Sequence, residues 1–340
     1  MTKKIILSLV VLTGVFAAYL WFGVFNHQLN LDKESKYFYV KSNASFTDVI
    51  EGLNKQGIVN QNYWFTELAE LRHLPTNIYP GRYTIKDGIT WNELIIFLRT
   101  GQIDEVTVTF NNVKNINQLA EQVSKYIEAK EDELLMAFTN PETIKELGFN
   151  NATFICLFLP NTYRFYWNTS ADQFLNRMKS EYKAFWNVER KAKARRWGLS
   201  QSEITTLASI VQSEQADVEE EWPVIAGLYL NRIRKGMKLQ SDPTVIFSTG
   251  DFTIRRVLNV HLRTDSKYNT YMYAGLPPGP IRIASTKAID AVLNAASHNY
   301  IYMCAKADGK GRHAFTASYR EHLRNAALFQ QALNKKKIYR

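Results

Sequence analysis

Glu214 is the residue whose type and position most invite chemistry. It closes the run Leu207-Ala208-Ser209-Ile210-Val211-Gln212-Ser213-Glu214, which reads as a helix that Ser202 can cap. Leu207, Ile210 and Val211 form an apolar face, and Glu214 falls on the same side at helical spacing. A carboxyl on such a face is either tied up in an ion pair or has its charged form disfavoured, which raises its pKa toward that of a useful general acid. Both readings stand at this point, with Arg232 as the kind of arginine an ion pair would use. Glu219, Glu220 and Glu221, by contrast, read as a solvated charge run before Trp222.

A second informative stretch lies downstream: Leu239-Gln240-Ser241-Asp242-Pro243-Thr244-Val245-Ile246, then Tyr268-Asn269-Thr270-Tyr271, then Gly275-Leu276-Pro277-Pro278-Gly279-Pro280-Ile281. Polar side chains beside stiff proline turns suit a preorganised groove for sugar hydroxyls, with tyrosine faces for pyranose rings. The plainer reading is turn punctuation. No phosphate-binding glycine loop, H-E-x-x-H, nucleophile elbow or Cys-His zinc spacing occurs, which removes most support for nucleotide chemistry and zinc hydrolysis. The histidines at 27, 73, 261, 298, 313 and 322 are scattered. His313 and His322 are close enough in sequence to meet in space, but each reads as structural or solvent-facing. The two cysteines, Cys156 and Cys304, lie too far apart in sequence to suggest a disulfide scaffold or a zinc ribbon.

The elements that must position these residues begin with an anchor. Residues 5–25 carry no charge. As a helix they would be about 31 Å long, enough for a hydrocarbon core of about 30 Å. Bulky residues follow Ala17-Ala18 where a signal-peptide cleavage site would need small ones, so the segment reads as uncleaved. Lys3 and Lys4 precede it and no lysine or arginine follows closely, which predicts a cytoplasmic N-terminus (residues 1–4), a single pass through the bacterial inner membrane, and everything after about residue 26 outside. The 340 residues carry 42 Lys+Arg against 32 Asp+Glu. Outside the cytoplasm this positive excess points to anionic wall polymer and lipid headgroups rather than nucleic acid. The cluster Arg190, Lys191, Lys193, Arg195 and Arg196 is read first as a solvated helix face.

After the anchor a pattern recurs. Ser45-Phe46-x-Asp48-Val49-Ile50-x-x-Leu53 is matched by Thr90-Trp91-x-Glu93-Leu94-Ile95-x-x-Leu98 and more loosely by Asn115-Ile116-x-Gln118-Leu119-Ala120-x-x-Val123. Each predicts the start of a capped amphipathic helix, preceded by alternating β-like runs at 37–41, 82–86 and 106–110. Strand, turn and capped helix in this order resemble LysM-type carbohydrate-binding modules, although capped helices after strands are common in α+β domains generally. The expected fold is α+β: an N-terminal transmembrane helix, a small LysM-like module at 36–100, a connecting α+β region at 101–198 with helical segments 131–146 and 170–198, and a mixed α+β catalytic region at 199–334 followed by a lysine-rich tail.

The motifs of the last region resemble the MltG (YceG-like) endolytic peptidoglycan transglycosylase family. That family carries L-A-S-I-V-E-x-E, N-R-L, G-M-x-L-Q-T-D-P-T-V-x-Y, Y-N-T-Y and G-L-P-P-G-P-I. These stand here as Leu207 to Glu214, Asn231-Arg232-Ile233, Gly236 to Phe247, Tyr268 to Tyr271 and Gly275 to Ile281, with Gly311 to Thr316 and Glu321-His322 like the closing elements. The resemblance implies a membrane-anchored lytic transglycosylase that cuts the β-1,4 bond between N-acetylmuramic acid and N-acetylglucosamine within nascent strands, leaves 1,6-anhydro ends and stops strand elongation. Of the two glutamates usual in L-A-S-I-V-E-x-E, the first is Gln212 here. An amide cannot shuttle a proton, so Glu214 is the expected catalytic acid. In the family's L-E-G-x-x-x-P-D-T-Y element both acids are replaced, by Ile155 and Asn161. Asn231, Gln240, Asp242, Thr244, Asn269 and Tyr271 are the expected substrate-orienting residues. No metal or organic cofactor is required. The expected partners are peptidoglycan strands, the membrane and a synthesis complex with its penicillin-binding proteins. Two rivals remain: a non-catalytic peptidoglycan-binding scaffold, and a hydrolase using a water activated by Asp242.

Overall fold

The computed structural model describes residues 2–60 and 63–335, so the lysine-rich tail lies outside the described residues from 336 onward. The chain divides into two compact units, one formed by Met1–Val108, Ser124–Lys130 and Tyr163–Ser170, the other by Thr109–Val123, Glu131–Thr162 and Ala171–Arg340. Residues 101–198 therefore contribute to both units.

In the first unit, α1 (Thr2–Leu20) runs into a π-helical turn, Trp21–Phe25. The 21 residues Ile5–Phe25 have a mean hydropathy of 2.3 and form a helix long and apolar enough to cross a membrane. The stretch ends inside folded protein, because Val24 is buried in the same core as Leu29, Leu31, Phe65 and Trp91. That core is closed by β1 (Ser35–Val40), α2 (Phe46–Lys55), α3 (Tyr63–Leu71), β2 (Gly81–Lys86) and α4 (Trp91–Thr100). β1 and β2 are antiparallel, with Phe38 opposite Tyr83 and Tyr39 opposite Arg82. The two-residue period of the strands sends Phe38, Val40, Tyr83 and Ile85 into the core and leaves Tyr37, Tyr39 and Arg82 on the outer face. Both expected capping boxes form: Ser45 with Asp48, and Thr90 with Glu93. β3 (Glu105–Phe110) leads out of this unit.

The second unit begins within β3 and continues with α5 (Ile116–Ser124), whose start is held by Asn115 accepting from the Gln118 amide at 2.9 Å. The expected helical segment 131–146 is two helices, α6 (Glu131–Thr139) and α7 (Pro141–Glu146), because Pro141 has no amide to continue the first and Asn140 caps the second. β4 (Asn161–Tyr166) pairs with β3. The segment 170–198 likewise splits into α8 (Ala171–Phe185) and α9 (Val188–Arg196), where Asn187 is the new cap. Part of the basic cluster has structural work: Arg190 forms a two-pronged pair with Asp290 at 2.7 and 2.9 Å, and Lys193 reaches Asn294.

The core of this unit surrounds α10 (Gln201–Glu214). Its cap is Ser200 rather than Ser202: the Ser200 hydroxyl accepts from the Glu203 amide and the Glu203 carboxylate answers the Ser200 amide, a reciprocal box that Ser202 is too far inside the helix to make. α10 is also buried all round from Ile204 to Val211, not along one face. Its hydroxyls are accommodated because Thr205, Thr206 and Ser209 each donate to a carbonyl in the preceding turn. Around it pack α11 (Trp222–Arg234), α12 (Asp242–Thr249) and α13 (Thr286–Leu293). β5 (Tyr302–Ala305) and β6 (His313–Thr316) form an antiparallel ribbon, and α14 (Tyr319–Lys335) follows.

The proline-rich turn is fastened to α10, with the Ile281 amide donating to Ser209 Oγ at 3.1 Å and the Ser285 amide to Gln212 Oε1 at 2.8 Å. Gly279 is required there by close approach: a Cβ on it would lie 2.0 Å from the Ala152 carbonyl oxygen. Gly279→Ala therefore forces backbone apart and is expected to destabilise the unit by about 1–3 kcal/mol, read as a lower midpoint in chemical denaturation.

Candidate active site

Burial of α10 has one chemical outcome: its last residue, Glu214, emerges from the core carrying a carboxyl group. Tyr229 on α11 donates its hydroxyl to Glu214 Oε1 at 2.7 Å, and the hydroxyl of Ser241, the residue before α12, donates to the same oxygen. Oε2 has no protein partner among the described residues. Burial pushes the Glu214 pKa up. The Ser241 and Tyr229 hydrogen bonds oppose the rise, and the nearby Asp242 charge adds to it. Burial and the adjacent carboxyl together hold the Tyr229 phenol well above its ordinary range, so it stays a donor.

Ser241 is set by a buried polar lattice. Its amide donates to Thr270 Oγ1 at 3.0 Å, and its carbonyl accepts from Thr244 Oγ1 at 2.6 Å. Thr244 and Thr270 share a further hydroxyl contact at 2.8 Å. Asn269, fully buried, donates to the carbonyls of Leu262 and Thr264 and accepts from the Tyr271 amide, which fixes the turn carrying Tyr271. The Tyr271 hydroxyl then donates to Asp242 Oδ1 at 2.6 Å. Gln240 takes a left-handed backbone, φ 55°, and donates its amide to the Thr270 carbonyl.

Glu214, Gln240, Asp242 and Tyr271 line one cavity of about 380 Å³, together with Tyr229, Arg232, Tyr302, Cys304, His313 and His322. Asn231, Thr244 and Asn269 are not in that lining. Asn231 donates to the carbonyls of His298 and Tyr300, and the other two hold Ser241 and Tyr271, so their polar groups face protein rather than the cavity. Tyr268 packs its ring on Phe247, with centroids 4.7 Å apart, and belongs to the core.

Of the two readings left open for Glu214, the ion pair with Arg232 does not form. Arg232 donates to the carbonyls of Ile301, Lys238 and Leu239 and to Gln240 Oε1, and so braces the cavity floor. Glu221 departs from its expected place in a solvated run. It is only 12% exposed at the side chain and pairs with His313 Nδ1 at 2.7 Å. Burial pushes the Glu221 pKa up, but hydrogen bonds from the His313 amide and ring and from Gln215 outweigh it and hold the carboxyl below the usual range. Tyr229 and Ser241 are functional neighbours that sequence reasoning missed. The sequence signal for Ser241 was its place between Gln240 and Asp242, whereas Tyr229 carried none beyond helical spacing. Both cysteines are free thiols, and burial pushes the Cys156 thiol up to about 12.

The YceG-like family profile matches residues 38–328. The endolytic murein transglycosylase of Bacillus subtilis (strain 168) is 27% identical over 317 residues, covering 87% of this chain and 85% of that protein. The endolytic murein transglycosylase of Streptococcus pneumoniae (strain D39) is 24% identical over 366 residues, covering 96% of this chain, which spans only 65% of that longer protein. The 2.6 Å crystal structure of a YceG-like protein from Listeria monocytogenes has the same fold, with a TM-score of 0.58 at 22% identity over 86% of this chain and 99% of that one.

A raised carboxyl pKa has a stability signature. Neutral Glu214 is favoured in the fold, so its contribution is fully present below the ordinary value of 4.5 and is lost as pH rises through the raised value. Glu214→Gln, which never ionises, is expected to gain in Tm over the unsubstituted chain as the buffer moves from about pH 5 to about pH 8. Parallel melting curves across the two pH values would expose the wrong sign directly.

Proposed function

This chain belongs to the YceG-like family, and from that premise we propose that it is a lytic transglycosylase that cuts within murein strands. The observation that carries the reading is Glu214: a carboxyl whose pKa is raised by burial, held by two hydroxyl donors at Oε1, on a residue that lines a cavity. Oε1 behaves as the carbonyl oxygen of a protonated acid, and the proton sits on Oε2, where a glycosidic oxygen can take it.

The reaction then runs on one carboxyl group. Glu214 donates its proton to the oxygen of the β-1,4 bond as the bond to C1 of N-acetylmuramic acid breaks and positive charge develops at that carbon. The resulting carboxylate takes the proton of the same sugar's C6 hydroxyl, whose oxygen closes on C1. One C–O bond is broken and one made, the acid is regenerated, and no water is consumed. The nucleophile is already part of the substrate, so proximity replaces the second carboxylate of ordinary glycosidases. Gln240, Asp242 and Tyr271 orient the glycan from the cavity wall. Asn231, Thr244 and Asn269 act one step back, by fixing the segments that carry the wall. Residues 5–25 anchor the chain in the cytoplasmic membrane, with Lys3 and Lys4 inside and everything after about residue 26 outside, beside the synthesis machinery that makes the strands. Residues 36–100 form a LysM-like module in this arrangement.

Mass spectrometry of uncrosslinked glycan strands incubated with the protein tests the chemistry. The unsubstituted chain should give 1,6-anhydro ends, and Glu214→Gln should lower their rate of formation by about 10²–10⁴-fold. Reducing ends would indicate hydrolysis, and no cleavage by either protein would favour a binding scaffold. Activity should fall as pH rises through the raised pKa of Glu214. Tyr229→Phe removes a hydrogen bond that lowers this pKa, so it should move the alkaline limb of the pH profile upward, a shift seen in initial rates across pH.

A further inference from the structure

Another cavity, of about 270 Å³ and lined only by residues of the second unit, adjoins the one that holds Glu214. Ser213 and Pro243 line it, while their neighbours in the chain, Glu214 and Asp242, line the other. Consecutive Cα atoms are about 3.8 Å apart, so the two cavities meet at the end of α10 and the start of α12. Most of the wall is apolar, made by Pro243, Ile246, Phe247, Phe252 and Ile281. Two cationic side chains stand in it, Lys114 and Arg282.

The frame is fixed by hydrogen bonds between distant segments. The Ile283 amide donates to the Val113 carbonyl at 2.9 Å, and Arg282 Nη2 donates to Asn112 Oδ1 at 2.7 Å, which ties the segment after β3 to the proline-rich turn. Neither cation meets an acid among the described residues. The acceptor that Arg282 reaches is a neutral amide, and its buried Nε has no hydrogen-bond partner among the described residues. The Lys114 ammonium faces a ring, 4.6 Å from the centroid of Phe252. The acids that adjoin the lining in sequence are held elsewhere: Glu214 by Tyr229 and Ser241, Asp242 by Tyr271, and Asp251 by Thr253. Burial accordingly pulls the Arg282 pKa down, and no carboxylate opposes it. A guanidinium drawn out of water without a counter-charge is costly, and a ligand that brings the counter-charge removes that cost.

We infer that this cavity binds an acidic peptide, with a carboxylate at Lys114 and Arg282 and alkyl side chains against the wall of Pro243, Ile246, Phe247, Phe252 and Ile281. A saccharide ring suits it poorly, because sugar hydroxyls need polar partners and the Ser213 hydroxyl already donates to the Ser209 carbonyl. Inorganic phosphate would leave the apolar wall without a partner. Taking the peptide as the stem peptide of muramic acid rests on the proposed function. That peptide hangs from the sugar whose C1 reacts at Glu214, so it has to pass the end of α10, where this cavity opens. The enzyme then reads the peptide state of the strand beside the bond it cuts.

The test uses the full chain in detergent with Glu214→Gln, which binds without turnover. It is titrated with uncrosslinked murein strands carrying intact stem peptides, and with the same strands after an amidase has removed the peptides. Intact strands are expected to bind about tenfold tighter than denuded ones, and to slow amine-reagent modification of the exposed Lys114 about tenfold more. Arg282→Gln and Lys114→Gln should each cut this preference to about twofold. Arg282→Gln also loses the bond to Asn112, so Lys114→Gln, whose ammonium meets only a ring, carries the test if the first variant unfolds. Equal affinity for the two preparations, or a preference that survives Lys114→Gln, would overturn the site. Equal protection of Lys114 by denuded and intact strands would overturn the peptide as its ligand. Anhydro products from the unsubstituted chain are scored in parallel. Products without a peptide preference sink this site alone, and a peptide preference without products sinks the proposed reaction alone.

Discussion

A carboxyl group that leaves a helix enclosed on every side has little water to stabilise its charge, and the second unit is organised around that constraint. α10 can be buried from Ile204 to Val211 only because its threonines and serine return their hydroxyls to the helix backbone. Glu214, at its end, is costly to ionise and forms no ion pair among the described residues, since Arg232 is committed to four oxygens of the cavity floor. What surrounds it are hydroxyl donors. Burial disfavours the charged form against the pull of these donors, and because both bind Oε1 they leave Oε2 as the oxygen to carry a proton.

The same economy of partners explains the rest of the wall. Ser241 donates to Glu214 because Thr244 and Thr270 clamp its backbone, and Tyr271 reaches Asp242 because Asn269 sets the turn before it. The cavity is thus lined by a few groups whose geometry is determined one hydrogen bond further out. Glu221 and His313 form a second such assembly, joined to the end of α10 through Gln215.

Residue type and periodicity revealed the first level of this arrangement and stopped at the second. The strands at 35–40 and 81–86, the boxes at Ser45 and Thr90, and the special position of Glu214 are local patterns, and local patterns are what a sequence displays. Thr244 and Asn269 looked like ligands because they are polar residues in a polar, proline-framed stretch, and Asn231 because it stands in the N-R-L element of the family resemblance. Whether their hydrogen bonds face a substrate or a neighbouring carbonyl depends on contacts up to 69 residues away, as between Asn231 and Tyr300. Glu221 was misjudged for the same reason: its carboxylate is taken up by His313, 92 residues on. Ser202 and Ser200 differ by less, since both suit a cap and only the reciprocal Glu203 bond chooses between them.

The junction between α1 and the first unit has a mechanical meaning. The apolar stretch ends with Val24 inside a folded core, so there is no hinge between helix and domain. A helix set in a bilayer answers changes in hydrocarbon thickness by tilting. With its last turn cemented into the domain, every degree of tilt becomes a degree of domain rotation. If α1 lies in a bilayer, as proposed, the stalk is a lever that passes each change in lipid thickness to the domain as a change of angle.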